Sequence, residues 1–147
     1  MSKTFSLQTL LDLARRETDG AAATLGTLNA QLRASQGKLE LLLRYREEYR
    51  TRFREEMSRN TSSVSWKNFH DFMEKLDQAI EQQRAALATS REVMLAGRRK
   101  WQSAQTRERT YDTLAERHRA DEARRAGRIE QREHDELALN AHRKPGR

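Results

Sequence analysis

The chain has 147 residues, enough for one ordinary domain, yet only 35% are hydrophobic and 6% aromatic, which is lean for a globular core. Charged residues make up 35%, 29 basic against 22 acidic, for a net charge of +7. Such polarity leaves two classes, long solvated helices or a disordered chain, and the lack of cysteine excludes disulfides and thiolate metal sites.

Met1 to Asp12 lacks the basic start and unbroken apolar run of a signal peptide, and no stretch approaches the length of an apolar membrane span. A cytosolic protein is expected. The only proline, Pro145, lies at the end, so nothing interrupts a helix before it.

Periodicity separates helix from disorder. Alternating steps of four and three from Leu7 land on Leu7, Leu11, Ala14, Thr18, Ala21, Leu25, Leu28, Leu32, Ser35, Leu39, Leu42, Arg46, Tyr49 and Phe53, of which eleven are apolar. A mean step of 3.5 residues is the seam of a coiled coil, because only that period keeps one stripe on a partner helix. Thr4 or Ser6 is a candidate cap for a first helix of about 6–57.

The run Ser58-Arg59-Asn60-Thr61-Ser62-Ser63-Val64-Ser65 breaks the ladder. Its Ser and Asn side chains compete for backbone hydrogen bonds and favour turns and caps, so a tip is predicted at about 58–65. A second ladder then runs Trp66, Phe69, Met73, Leu76, Ile80, Gln83, Leu87, Ser90, Met94, Gly97, Trp101, Ala104, Glu108, Tyr111 and Ala115. Its spacing, with the helix propensity of the residues beyond it, predicts a second helix over about 66–139.

Folding back at the tip, the ladders zip with paired residue numbers summing to 122: Phe53 faces Phe69, Tyr49 faces Met73 and Leu42 faces Ile80. Further along, Leu25 faces Gly97, Leu32 faces Ser90 and Ser35 faces Leu87, large against small as close packing requires. A slip by one heptad is not excluded by the period alone. Leu7 would meet Ala115, so the chain beyond about His118 overhangs without a partner helix. Its helix propensity stays high to about Leu139, with Gly127 the weak point. The expected fold is all-α: one domain, a long antiparallel two-helix coiled-coil hairpin with a helical C-terminal overhang.

Little in the sequence supports catalysis. The histidines His70, His118, His134 and His142 are scattered, Glu130 and His134 form an i,i+4 pair without further metal ligands, and the glycines are isolated rather than gathered in a phosphate loop. No enzyme, cofactor, metal or small-molecule substrate is expected. Between Arg84 and Arg109 the basic residues Arg84, Arg91, Arg98, Arg99, Lys100, Arg107 and Arg109 face only Glu92 and Glu108 along the chain. Solvated flanks opposite acids of the first helix, such as Glu17 and Asp19, are the plain reading of this stripe. An acidic protein surface is the next, and nucleic acid the least favoured.

Leu41, Leu43, Tyr45, Phe72 and Ala79 flank the seam near mid-hairpin, where two helices cannot bury them all. Grouped aromatics of this kind form a protein contact, or else fold over the seam and widen it.

The stretches Leu10-Leu11-Asp12-Leu13-Ala14, Tyr45-Arg46-Glu47-Glu48-Tyr49-Arg50, Trp66-Lys67-Asn68-Phe69-His70-Asp71-Phe72 and Leu76-Asp77-Gln78-Ala79-Ile80-Glu81-Gln82 occur in one order and spacing that resembles the FliJ family of the bacterial flagellar type III export apparatus. The resemblance implies a fold like the gamma stalk of rotary ATPases. It also implies a non-catalytic component serving the FliI export ATPase hexamer, touching the cytoplasmic domain of the export gate FlhA, and assisting chaperone recycling, with FliH and export chaperones as further partners. The implied location is the cytoplasmic side of the inner membrane at the flagellar base.

Carried over residue by residue, the family's gate-binding patch falls on Leu42, Tyr45, Tyr49, Phe72, Leu76 and Ala79. Lys38 and Gln83 depart from the Gln and His the family implies beside it. ATPase engagement is implied where the N-terminal turns and the overhang lie, with Leu13, Arg124, Arg125 and Arg128 as candidates. The alternatives are the equivalent stalk of a non-flagellar type III secretion system and a basic helical-hairpin nucleic-acid binder.

Overall fold

The computed structural model describes residues 2–59 and 62–143, with side chains from Ser6 onward. Two helices account for them: α1 (Ser2–Arg59) and α2 (Ser63–Arg143). Among the described residues only Ser62 lies outside a helix. The fold is an all-α helical hairpin.

Both helices run further than the sequence signals suggested. Because α1 already includes Ser2, Ser6 lies in its second turn and does not cap it. At the tip most of the polar run is helical. Ser62 is the N-cap of α2: its Oγ accepts the backbone N–H of Ser65 at 3.1 Å, and its carbonyl accepts that of Trp66 at 3.1 Å. One serine therefore does what the composition had spread over eight residues. Asn60 and Thr61 lie outside the described residues, as do Lys144 to Arg147 with Pro145.

The chain divides into two units, one joining α1 up to Asp19 with α2 from Gln102, the other comprising Gly20–Trp101. In the first, Leu11, Ala14, Thr18, Ala104 and Ala115 are buried, all of them ladder positions. Thr18 is polar, but its hydroxyl donates to the Ala14 carbonyl of its own helix at 3.0 Å, so no buried donor is left over. Along the edges of this unit Arg107 pairs with Glu17 at 2.9 Å, and Arg15 reaches Glu108 at 3.9 Å and Asp112 at 3.8 Å. These pairs are largely exposed and contribute little individually, typically about 0.2–1 kcal/mol each.

In the second unit Met73, Leu76 and Ile80 form a buried cluster against which Leu39, Leu42, Leu43, Tyr49 and Phe69 pack. Toward the tip, Phe53 and Phe69 stack with ring centroids 3.8 Å apart, the pair that sums to 122. Farther along, a Cβ on Gly97 would meet Leu28 at 2.7 Å and Leu25 at 3.9 Å, so glycine lets the helices approach where leucines of α1 cross. Two sites far apart in this unit thus agree on one register.

Two of the polar interruptions of this unit's ladders, Ser35 and Gln83, bond to each other. The Gln83 amide donates to both the carbonyl and the hydroxyl of Ser35, each at 2.9 Å. Arg46 Nε lies 3.2 Å from Asp77 Oδ1, but the alignment does not make a hydrogen bond and the buried Nε has no other acceptor.

Candidate protein-binding surfaces

The flank near mid-hairpin resolves into two sorts of residue. Leu43 is half-buried against the Met73, Leu76 and Ile80 cluster and folds over the seam, and Ala79 is half-buried as well. Leu41, Tyr45 and Phe72 remain exposed, Tyr45 at 56% and Phe72 at 44%. Phe72 is not isolated, since its ring lies 4.3 Å from that of Tyr49.

The six residues assigned to a gate contact therefore differ in what they offer. Leu76, at 8% exposure, is a core residue, and Leu42 and Tyr49 are half-buried against the same cluster. Tyr45 and Phe72 present free apolar area beside them, with Ala79 half-buried at the edge. Of the two departures from the family pattern, Gln83 is occupied by its bonds to Ser35, while Lys38 is exposed on α1.

The other assigned surface belongs to the unit with the N-terminal turns and the overhang. Leu13 is 52% exposed, on the face of α1 away from the buried Leu11 and Ala14. Every described residue from Arg119 to Arg143 is exposed although the segment is helical throughout, Arg124, Arg125 and Arg128 included. Arg124 pairs with Asp121 at 3.5 Å one turn earlier, and His118 with Glu122 at 3.3 Å. Such local pairs, each worth about 0.2–0.5 kcal/mol, sustain a helix without covering an apolar face.

In the basic stripe Arg107 does meet an acid of the first helix, Glu17, and Arg84 pairs with Glu81 on its own helix. The opposing-acid reading does not extend to Asp19, which makes no ion pair among the described residues. Glu130 and His134 gain no third ligand, and among the described residues no three His, Cys, Asp or Glu side chains gather to hold a metal.

Ladder arithmetic missed an aromatic run toward the tip. Tyr49 and Phe69 stack at 5.6 Å, Phe53 lies 5.6 Å from Trp66, and Trp66 meets His70 edge-on at 4.7 Å. All but His70 occupy ladder positions, yet Trp66 is 48% exposed. The available signal was the clustering of four rings at successive ladder positions, more aromatic area than a two-helix seam encloses.

These features define a two-helix coiled-coil protein whose uncovered surfaces are an aromatic flank and a charged helical overhang, and no helix among the described residues is long and apolar enough to cross a membrane. The family model of the flagellar FliJ protein matches residues 2–147. The flagellar FliJ protein of Salmonella typhi is 32% identical over 141 residues, covering 96% of each chain. That of Escherichia coli strain K12 is 31% identical over the same length and coverage. The chain belongs to the flagellar FliJ family, and so is a component of flagellar protein export, acting in flagellum biogenesis and motility.

Proposed function

We propose that this protein acts without catalysis of its own, coupling the export ATPase ring to the export gate on the cytoplasmic face of the inner membrane at the flagellar base, and assisting the recycling of export chaperones. The observation that carries this reading is the overhang, a helix exposed on every face from Arg119 to Arg143. An isolated helix of mixed charge is marginal in water and gains most of its stability from packing, so a partner that surrounds it supplies what the hairpin does not. A ring of ATPase subunits offers that environment to the overhang, to Leu13 and to Arg124, Arg125 and Arg128.

Tyr45 and Phe72 supply the contact with the cytoplasmic domain of FlhA, with Leu42, Tyr49, Leu76 and Ala79 forming its support from beneath. Ring engagement acts by differential binding, since a ligand shifts assembly only by favouring one state of the ring over another. The purified protein should raise the activity of its cognate FliI-type ATPase at enzyme concentrations where the hexamer is marginal, and less so where it is saturated. A concentration series in which neither activity nor oligomerisation responds overturns the proposal.

A further inference from the structure

Beyond the six residues of the proposed gate contact lies an open groove of about 390 Å³ toward the tip, lined by Phe53, Met57, Trp66 and Phe69 with Arg50 and Arg54 at its rim. Its floor is aromatic: Phe53 stacks on Phe69 at 3.8 Å, and Trp66 meets His70 edge-on at 4.7 Å. Its walls leave apolar area open to solvent, since Trp66 is about half exposed.

The charge around the groove is one-sided. From Arg50 to His70 the chain carries Arg50, Arg52, Arg54, Arg59 and Lys67 against Glu55 and Glu56. Arg50 has a neighbour in Glu47 at 3.5 Å, whereas no ion pair among the described residues engages Arg54. An apolar hollow of side-chain size between cations fits an apolar knob with carboxylates about one helical turn away. The concavity favours an inserted side chain over a flat lipid surface, and the excess of positive charge disfavours a second copy of this tip.

We propose that this groove docks an acidic amphipathic helix of a partner protein, an apolar side chain seated on Phe53, Met57, Trp66 and Phe69 and carboxylates paired with Arg50 and Arg54. The site stands independently of the gate and ATPase contacts proposed above.

The test uses the full chain and a fluorescently labelled synthetic Leu/Glu amphipathic helix, followed by anisotropy. Saturable binding is expected. Arg50→Glu with Arg54→Glu should weaken it roughly tenfold, the product of two exposed charge pairs each contributing a few-fold. Met57→Gln, which leaves the charge unchanged, should weaken it by a comparable factor. Both variants should keep the wild-type circular dichroism spectrum, because Arg54 is exposed, Arg50 is partly so and lies in no apolar cluster, and Gln is close to Met in size and helix propensity.

Four results overturn the proposal: no binding of the Leu/Glu helix, equal binding of the same helix with Lys for every Glu, equal binding by the folded variants, or stronger association with vesicles of equimolar phosphatidylcholine and phosphatidylglycerol than with the peptide.

Discussion

Leu28 Cδ1 stands 2.7 Å from the point a Cβ on Gly97 would occupy, so the helices of this unit meet where any side chain must displace Leu28. Gly97→Leu is expected to destabilise by about 1–3 kcal/mol, the usual cost of overpacking. Gly97→Ala should cost far less, because the terminal methyl of Leu28 can give way and alanine recovers up to about 1 kcal/mol of helix propensity. Urea denaturation followed by circular dichroism separates the two; equal effects would mean that the close approach is unimportant.

Gln83 and Ser35 tie the helices together across the seam. Gln83→Ala should cost about 1 kcal/mol for the lost bonds and packing. A cycle built from Gln83→Leu and Ser35→Ala should show the two positions coupled, with the apolar double variant close to wild type or above it in stability. Additive effects would place the bonds outside the energetics of the fold.

Arg46 occupies a ladder position with its Nε buried beside Asp77 but not aligned with it. Replacing Arg46 by Met removes the cost of desolvating the guanidinium and should leave stability unchanged or raise it by about 1 kcal/mol. Asp77→Ala leaves the cation without its partner and should lower stability instead. A matched loss in both variants would mean that the pair is net stabilising.

Within the proposed gate contact, exposure separates binding from folding. Tyr45→Ala should change stability by no more than about 0.5 kcal/mol, as surface changes do. Leu76→Ala removes a buried side chain and should cost about 2–5 kcal/mol. Phe72→Ala falls between, because it loses the Tyr49 ring contact as well as exposed area. If Tyr45→Ala weakens binding of the gate's cytoplasmic domain at unchanged melting, the contact is real; a loss seen only with Leu76→Ala would reflect the fold.

Removing the chain after Glu122, which keeps the His118 pair, deletes only exposed helix among the described residues. The thermal midpoint should hardly move, while total helical signal falls and stimulation of the ATPase is lost. Stimulation that survives truncation would remove the overhang from the proposed mechanism.

The amino-acid sequence by itself determined that two helices form and which stripe of each faces the other. Apolar residues at a mean step of 3.5 from Leu7 to Phe53 and from Trp66 to Ala115 leave one stripe on each helix, and the match of large to small, Leu25 against Gly97, favours one register without excluding a slip by a heptad; the Phe53–Phe69 stack and the close approach at Gly97 decide it. It also marked Tyr45 and Phe72 as surplus to the seam, because a count of apolar positions exceeds what two helices can bury. Tertiary structure alone decided how the exceptions are resolved. Whether Leu43 folds over the cluster while Leu41 stays in water, whether Gln83 reaches Ser35, and whether four rings close into a core or stand open as a groove around Trp66 all depend on side-chain rotamers and helix separation. A linear pattern carries neither, since periodicity assigns a residue to a face and only packing assigns it a neighbour.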